Sequence, residues 1–177
     1  MTVQKSACPE IREGMLPGVL GAIADLHMAV YPAEHAVAGQ FEADQLADLA
    51  DFAARHDEAR DALFSAWDSD GLIGCTVVDG TDTTGPAGWA RLRWVLVAHR
   101  ARGTGLGRRL MARALETVDR APARGLWLTT FSGLDAARRL YEANGFALVE
   151  AWPDTRWGRP LTVQRFERPV RQAAPGG

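Results

Sequence analysis

A glycine-rich turn between an apolar run and a helix-forming stretch is the feature that most constrains this sequence. The turn reads Arg102-Gly103-Thr104-Gly105-Leu106-Gly107, and it directly follows the predicted strand that ends in the apolar residues 94–98. The helix-forming residues 108–115 come immediately after it. Such an order of strand, turn and helix directs several backbone N–H groups towards one point at the positive end of a helix dipole. The sequence therefore predicts a site for a phosphate or a pyrophosphate.

The spacing of the glycines separates this turn from two other phosphate-binding loops. A P-loop has Lys-Ser or Lys-Thr after its last glycine, whereas Arg108-Arg109 follow Gly107 here. A dinucleotide-binding turn has Gly-x-Gly-x-x-Gly and an acidic residue about 20 positions later, at the end of the next strand. The next predicted strand, 126–130, ends in threonines. The pattern that remains is Arg-x-x-Gly-x-Gly.

This pattern and a second segment resemble the GNAT superfamily of acetyl-CoA-dependent acyltransferases. The second segment, Ala137 to Phe146, is similar to that family's Ala-x-x-Leu-Tyr-x-x-x-Gly-Phe motif. One departure is Leu134, which stands where the family often has an asparagine that touches the pantetheine. The resemblance implies the GNAT fold, which is of the α/β (α+β) class. Its central mixed, mostly antiparallel sheet has six to seven strands with a splayed central pair, and about four helices flank it.

The resemblance also implies acetyl-CoA as the cosubstrate and assigns residues to it. The pyrophosphate would lie on the N–H groups of the glycine turn, with the Arg108 side chain within reach and the Thr104 hydroxyl capping the helix. By position, the backbones of Leu96 and Val97 match the strand that pairs with the pantetheine amides. Tyr141 is the predicted catalytic residue, because it matches the family tyrosine whose hydroxyl points at the cofactor sulfur and serves the leaving thiolate. The predicted cofactor-binding residues are Leu96, Val97, Arg102, Gly103, Thr104, Gly105, Leu106, Gly107 and Arg108.

The acceptor side of the site is less determined by the sequence. An amine acceptor must lose a proton before it attacks a thioester. Candidates for taking that proton are Glu34, His35, Asp79, Glu150 and Asp154. His27 and Tyr31, at i and i+4, share a helix face near the expected acceptor pocket. The predicted acceptor contacts are His27, Tyr31, Arg93 and Trp152.

Arg91 and Arg93 alternate along one predicted strand, and a charge inside a covered sheet is costly unless it is paired. Either these arginines pair with internal acids, which we favour, or one of them holds an anionic group of the acceptor. Trp152 and Trp157, in a late loop, are the tryptophans most suited to reach the acceptor.

Composition limits the class of protein and its partners. The chain has 177 residues, a formal net charge of −2 and 47% hydrophobic residues, which favours a globular domain without a nucleic-acid surface. Cys8 and Cys75 are too few for a disulfide framework or a zinc site, and Cys75 is expected to be a buried thiol. The sequence has neither a signal peptide nor a run of roughly 20 apolar residues, so we expect a cytoplasmic protein without membrane contacts or a metal.

The apolar periodicity and the turn residues predict one GNAT domain over residues 1–168 and a disordered tail over 169–177. Ser132 and Asp135 are expected to cap the helix that follows them, and Gly145 to end that helix in a left-handed conformation. Four helices are predicted. The first ends at Val30 and is followed by a loop over 31–39. The other three cover 44–56, 104–118 and the segment from Asp135 to Asn144. The predicted strands are one ending near Arg12, and others over 63–67, 72–78, 89–98, 126–130, 146–150 and 161–167, with a loop over 151–160.

The first functional prediction is an N-acetyltransferase that moves acetyl from acetyl-CoA to an amine of a small molecule or natural product by direct attack in a ternary complex. A catalytically silent acyl-CoA sensor or partner-binding module is the alternative from another class, and an acyltransferase for longer acyl groups shares the same motifs. Residues 131–138 and 157–167 resemble GNAT domains that follow a MarR-type DNA-binding domain in other bacterial proteins. The resemblance is also compatible with a homodimer.

Overall fold

The computed structural model describes residues 9–35, 39–155, 157–158 and 160–170, with the side chains of 32–35 left outside the description. Cys8 and almost all of the predicted tail therefore lie outside the described residues. None of the described helices is long and apolar enough to cross a membrane. The elements in chain order are β1 (Ile11–Glu13), α1 (Val19–His35), α2 (Gly39–Arg55), β2 (Ala62–Asp68), β3 (Gly71–Asp79), β4 (Ala90–Val97), a 3₁₀ helix (His99–Ala101), α3 (Leu106–Arg120), β5 (Gly125–Phe131), α4 (Asp135–Ala143), β6 (Ala147–Asp154) and β7 (Leu161–Pro169).

The strands form one seven-stranded sheet in the order β1-β2-β3-β4-β5-β7-β6. All neighbouring pairs are antiparallel except β4 and β5, which are parallel. Apolar residues at helical spacing bury one side of α3 against β2, β3 and β4, and α1 packs on β3, β4 and α2. Together with the four described α-helices, this sheet confirms the predicted mixed, mostly antiparallel GNAT architecture.

The central pair of strands separates along its length. β4 and β5 pair only at Ala90–Leu126 and at Arg91–Trp127, so the rest of the two strands is splayed apart. β4 also carries one extra residue opposite β3, at a bulge where Trp94 adopts a φ of +46°. The Cys75 thiol, buried as predicted, lies 3.3 Å from the Trp94 carbonyl oxygen that accepts its hydrogen bond. A bulge turns a strand away from its neighbour, and here it accompanies the opening of a gap in the middle of the sheet.

The predicted loop over 31–39 is wrong at both of its ends. The backbone of α1 continues past Pro32 to His35, and α2 already begins at Gly39 instead of Asp44. Phe41 in the first turn of α2 is buried, and its ring lies 5.5 Å from that of Tyr31 on α1. This contact between the helices, which the sequence pattern does not reveal, extends both of them.

Two predicted helix caps are also wrong. The N-cap residue of α4 is Leu134, without a side-chain cap, while the Ser132 N–H donates to the Thr162 carbonyl of β7 and so extends the sheet. The Thr104 hydroxyl donates to the Ala101 carbonyl at 2.7 Å instead of capping α3, whose N-cap is Gly105. The left-handed Gly145 after α4 is confirmed, with a φ of +84°.

The predicted loop over 151–160 begins too early, because its first four residues continue β6 in register with β7. Ala151 pairs with Gln164 and Asp154 with Leu161, so this part of the chain gains sheet hydrogen bonds from a neighbour that is distant in sequence.

Candidate active site

A cavity of about 700 Å³ opens where β4 and β5 separate. Its walls come from both splayed strands, from α1, α2, α4, β6 and β7, and from the loop residues Thr84 and Trp157. The predicted residues that the structure brings together in these walls are His27, Tyr31, Arg93, Leu96, Tyr141 and Trp152. The cavity is therefore shared by the predicted catalytic residue and all four predicted acceptor residues.

The glycine turn connects the 3₁₀ helix after β4 to the start of α3, and its residues are not among those that line the cavity. Gly103 and Gly105 adopt left-handed φ angles of +75° and +83°, which disfavour residues with a β-carbon. A β-carbon at either position would meet nothing within 4 Å, so the space above the turn is open. No side chain caps the N-terminus of α3, and the first turn of that helix has no acidic residue. An uncapped helix start beside left-handed glycines in open space fits a phosphate group.

Tyr141 on α4 is buried and faces the cavity. Its ring packs against those of Phe146 and Phe166, each with centroids 6.0 Å away. Burial, and to a smaller extent the neighbouring Tyr31, raise the pKa of the Tyr141 hydroxyl above its usual value. The hydroxyl therefore stays protonated at neutral pH and can act as a hydrogen-bond or proton donor.

Four aromatic rings form a closed circuit at one end of the cavity. Tyr31 lies 5.5 Å from Phe41 and 5.8 Å from Phe131, and Trp157 lies 5.1 Å from Phe41 and 5.8 Å from Phe131. The Trp157 indole N–H donates to Asp44 at 3.0 Å. The end of the cavity nearest Tyr31 is thus walled by ring surfaces with one carboxylate beside them.

His27 lies against this circuit and stays uncharged. Its ring centroid is 4.6 Å from that of Tyr31 and 5.1 Å from that of Phe41. Burial lowers the pKa of His27 from 6.5 to about 4, and its Nδ1 has no hydrogen-bond partner among the described residues. Since the imidazole is neutral at pH 7, it presents a polar but uncharged surface.

The arginines of β4 pair with acids, as the sequence favours. Arg93 donates to Asp79 at 3.2 Å and lies 2.6 Å from an oxygen of Asp48, with only 6% of its side chain exposed. Arg91 lies 3.3 Å from an oxygen of Asp82, and 22% of its side chain is exposed. Arg93 is thus held between two carboxylates, whereas Arg91 has a longer contact with one.

The predicted proton acceptors do not collect around Tyr141. Asp79 is fully buried and bonded to Arg55 and Arg93; burial alone would raise its pKa, but these two guanidiniums lower it. Glu150 is exposed on β6, and neither it nor Asp154 is in the described cavity wall. The side chains of Glu34 and His35 lie outside the described residues.

Several residues of the cavity wall escaped the sequence analysis. Trp127 on β5 and Arg165 on β7 become neighbours only because Thr129, which is two residues from Trp127, pairs with Arg165. Nothing local in the sequence indicates this, since the two strands are separated by α4 and β6. Further residues of the cavity wall that the sequence analysis did not predict are Phe41, Asp44, Asp48 and Phe131.

Comparison with solved structures shows the same fold. The chain is similar to a GNAT-family acetyltransferase from Staphylococcus aureus Mu50, with a TM-score of 0.73, 14% identity, and coverage of 93% of this chain and 100% of that one. It is similar to yncA from Salmonella typhimurium, solved with its cofactor acetyl-CoA, with a TM-score of 0.72, 20% identity, and coverage of 97% and 99%. It is also similar to the ribosomal-protein-S18-alanine N-acetyltransferase from Escherichia coli, with a TM-score of 0.64, 17% identity, and coverage of 93% of this chain and 97% of that one.

No curated protein is detectably similar to this chain in sequence. Residues 21–146, which include both motifs, the splayed strands and most of the cavity wall, match the acetyltransferase (GNAT) family. The chain therefore belongs to the GNAT family of acetyltransferases, and its cofactor is acetyl-CoA.

Proposed function

We propose that this protein acetylates the amine of a small molecule by direct attack within a ternary complex. The observation that carries the proposal is the position of Tyr141, a buried and protonated hydroxyl in the wall of a cavity that opens between the splayed strands. A proton donor at this place serves the sulfur that leaves a thioester. The aromatic end of the same cavity offers room for an acceptor beside it.

The residues for cofactor binding are those of the glycine turn and the end of β4. The turn from Arg102 to Gly107 would hold the pyrophosphate with its N–H groups, and the exposed Arg108 would add a positive charge. The unpaired edge of β4 at Leu96 and Val97 faces the gap, where its backbone can bond an amide-bearing chain. Acetyl-CoA supplies an acetyl thioester, which an amine converts to an amide and a free thiol.

The acceptor would lie against His27, Tyr31 and Trp152 in the cavity. Neutral His27 and the aromatic rings add no charge of their own to this wall, and the Asp44 carboxylate beside it would attract an acceptor amine in its ammonium form. Exclusion of water by the surrounding rings keeps the thioester from hydrolysis. The proposed roles are thus proton donation by Tyr141 and acceptor positioning by the helix α1 residues.

The test is a thiol-release assay with acetyl-CoA and a panel of amines, run beside calorimetric titration of acetyl-CoA. We expect acetyl-CoA to bind and at least one amine to release CoA above the rate of background hydrolysis, with the acetylated amine found by mass spectrometry. Tight binding without turnover on any amine would contradict the proposal and support an acyl-CoA sensor. Turnover only with a longer acyl-CoA would retain the reaction and correct the acyl group.

A further inference from the structure

We propose that the acceptor carries an acid group, a carboxylate or a phosphonate, in addition to its amine, and that Arg91 and Arg165 bind this group over the ring of Trp127. The proposal rests on the function proposed above and names the substrate class of the same cavity. Its starting point is a concentration of positive charge in one part of the cavity wall.

Two guanidinium groups lie against one indole. The Cζ atom of Arg91 is 4.7 Å from the Trp127 ring centroid, and that of Arg165 is 5.2 Å from it. Strand pairing fixes this arrangement. Arg91 of β4 is opposite Trp127 of β5, and Arg165 of β7 is opposite Thr129, which lies two residues after Trp127 in β5. All four residues line the cavity. Two like charges on one ring repel each other, so the arrangement favours an anion between or above them.

The two acidic partners of these arginines do not satisfy them fully. Asp82, the partner of Arg91, is buried, and Glu167, the partner of Arg165, leaves the Nε–H group of that arginine unbonded among the described residues. Asp82 has a side chain that is only 2% exposed, and its nearest approach to Arg91 is 3.3 Å. Glu167 accepts from one terminal nitrogen of Arg165 at 2.6 Å, while the buried Nε of Arg165 has no partner among the described residues. Burial and the nearby Arg93 lower the pKa of Arg91, which indicates incomplete compensation of its charge. The side chains of Arg91 and Arg165 keep 22% and 24% of their surface exposed, and that of Glu167 also keeps 24%.

Another part of the cavity wall carries a negative charge. Asp44 on α2 accepts hydrogen bonds from Trp157 and Gln40 and has no cationic partner among the described residues. It lies beside the aromatic end near Tyr31, whereas Arg165 lies beside Thr129, two residues before Phe131 on β5. A molecule that carries both an amine and an acid group can therefore contact Asp44 and the two arginines within one cavity.

The test uses matched pairs of acceptors that differ only in the acid group. A homologous series of ω-amino carboxylic acids is compared with alkylamines of the same chain length in the thiol-release assay. We expect the best acid to exceed its matched alkylamine in kcat/KM by roughly 10-fold to 100-fold, as expected for a charged hydrogen-bonded contact. Arg91→Gln and Arg165→Gln should each reduce this ratio roughly 10-fold, mainly through KM, while Arg91→Lys and Arg165→Lys should retain part of it.

Arg113→Gln is the matched control, because Arg113 lies on α3 in an exposed pair with Glu13, outside the cavity wall. It should leave the ratio unchanged, and thermal unfolding shows whether each variant is folded. A ratio near one, or a ratio that neither glutamine variant lowers, overturns the proposal while the acetyltransferase function stands.

If neither of these series turns over, the acid site is decided by binding alone, and the proposed function fails only if the wider panel of amines gives no turnover either. The same matched pairs are then titrated calorimetrically into the protein–CoA complex. Tighter binding of the acid, weakened in the glutamine variants and retained in Arg113→Gln, supports the site. Equal binding of acid and alkylamine, or no binding of either, overturns it.

Discussion

At the scale of single residues, burial decides the protonation states in this cavity. Tyr141 and His27 are both buried, and desolvation penalises the charged form of each. The result is a neutral phenol that keeps its proton and a neutral imidazole that does not gain one. The proposed proton donor Tyr141 and the neutral imidazole of His27 can both be tested by substitution.

Tyr141→Phe removes the hydroxyl and keeps the ring that packs against Phe146 and Phe166. We expect kcat for the best amine to fall roughly 100-fold, because proton donation to the leaving sulfur is lost. The dissociation constant of acetyl-CoA, measured by calorimetry, should stay close to that of the unaltered protein. An unchanged rate constant of acetyl transfer in single-turnover experiments would contradict a catalytic role for Tyr141.

His27 should make folding stability depend on pH. Its pKa is about 4 in the folded chain against 6.5 when exposed, so the unfolded chain binds more protons between these values. The free energy of unfolding therefore falls as the pH is lowered through this window, and the contribution of His27 to that loss reaches roughly 3 kcal/mol at the lower end. Above pH 6.5 both states are neutral at this residue and the contribution is absent.

The measurement is urea unfolding of the wild-type protein and His27→Gln across this range of pH. The variant should lose less stability than the wild type when the pH is lowered from 6.5 to about 4. Equal pH dependence in the wild type and His27→Gln would contradict the buried neutral state.

At the scale of elements, a turn and a strand pair create the two halves of the site. The glycine turn leaves the first N–H groups of α3 uncapped, because its N-cap residue Gly105 has no side chain. The bulge at Trp94 accompanies the separation of β4 from β5 after only two paired positions. The turn is a local feature of the chain, whereas the gap needs three strands to be in place.

Gly105 allows conformation and charge to be tested separately. Gly105→Ala should cost about 1 kcal/mol of folding stability, because alanine must adopt the left-handed φ of +83°. Gly105→Glu carries a similar conformational cost and places a carboxylate at the helix start, where it competes with a phosphate. We expect the dissociation constant of acetyl-CoA to rise roughly 10-fold more for the glutamate than for the alanine. Equal weakening by the two variants would show that the turn contributes only its shape.

At the scale of the whole molecule, a buried charge cluster joins α2 to the sheet beneath the cavity. Asp79 at the end of β3 accepts from Arg55 of α2 in a two-pronged contact, with both distances 2.6 Å, and from Arg93 of β4 at 3.2 Å. Asp48 of α2 closes the cluster on Arg93 at 2.6 Å. The helix that carries the acidic wall is thereby fixed relative to the splayed strands.

Asp79→Ala should destabilise the fold by roughly 2 to 3 kcal/mol, because buried Arg93 and partly buried Arg55 lose the carboxylate that bridges them and keep their ion pairs with Asp48 and Asp51, respectively. Glu13→Ala breaks the exposed pair with Arg113 and serves as the control, with an expected loss below about 1 kcal/mol. The measurement is the free energy of unfolding from urea titration of each variant. Similar losses in the two variants would contradict the structural role of the cluster.

Those features of the protein that depend on near neighbours in the chain can be predicted from its sequence alone. The glycine turn, the motif around Tyr141, the left-handed Gly145 and the amphipathic spacing in α1 and α3 all follow from residues a few positions apart. These features were sufficient to identify the fold class and the family. Local patterns gave wrong predictions at two places. Ser132 does not cap α4, since its N–H donates to Thr162 of the distant strand β7, and α1 does not end before Pro32, since packing against α2 extends it.

Only the tertiary structure decided how the cavity is lined. Arg165 reaches Trp127 because β7 pairs with β5, and Asp44 joins the wall of the same cavity because ion pairs of Asp79 and Arg93 hold α2 to β3 and β4. Such meetings depend on strand register and helix docking, which join segments far apart in sequence and have no local signature. The chemistry of acetyl transfer is therefore visible in the sequence motifs, whereas the class of acceptor is a property of the folded chain.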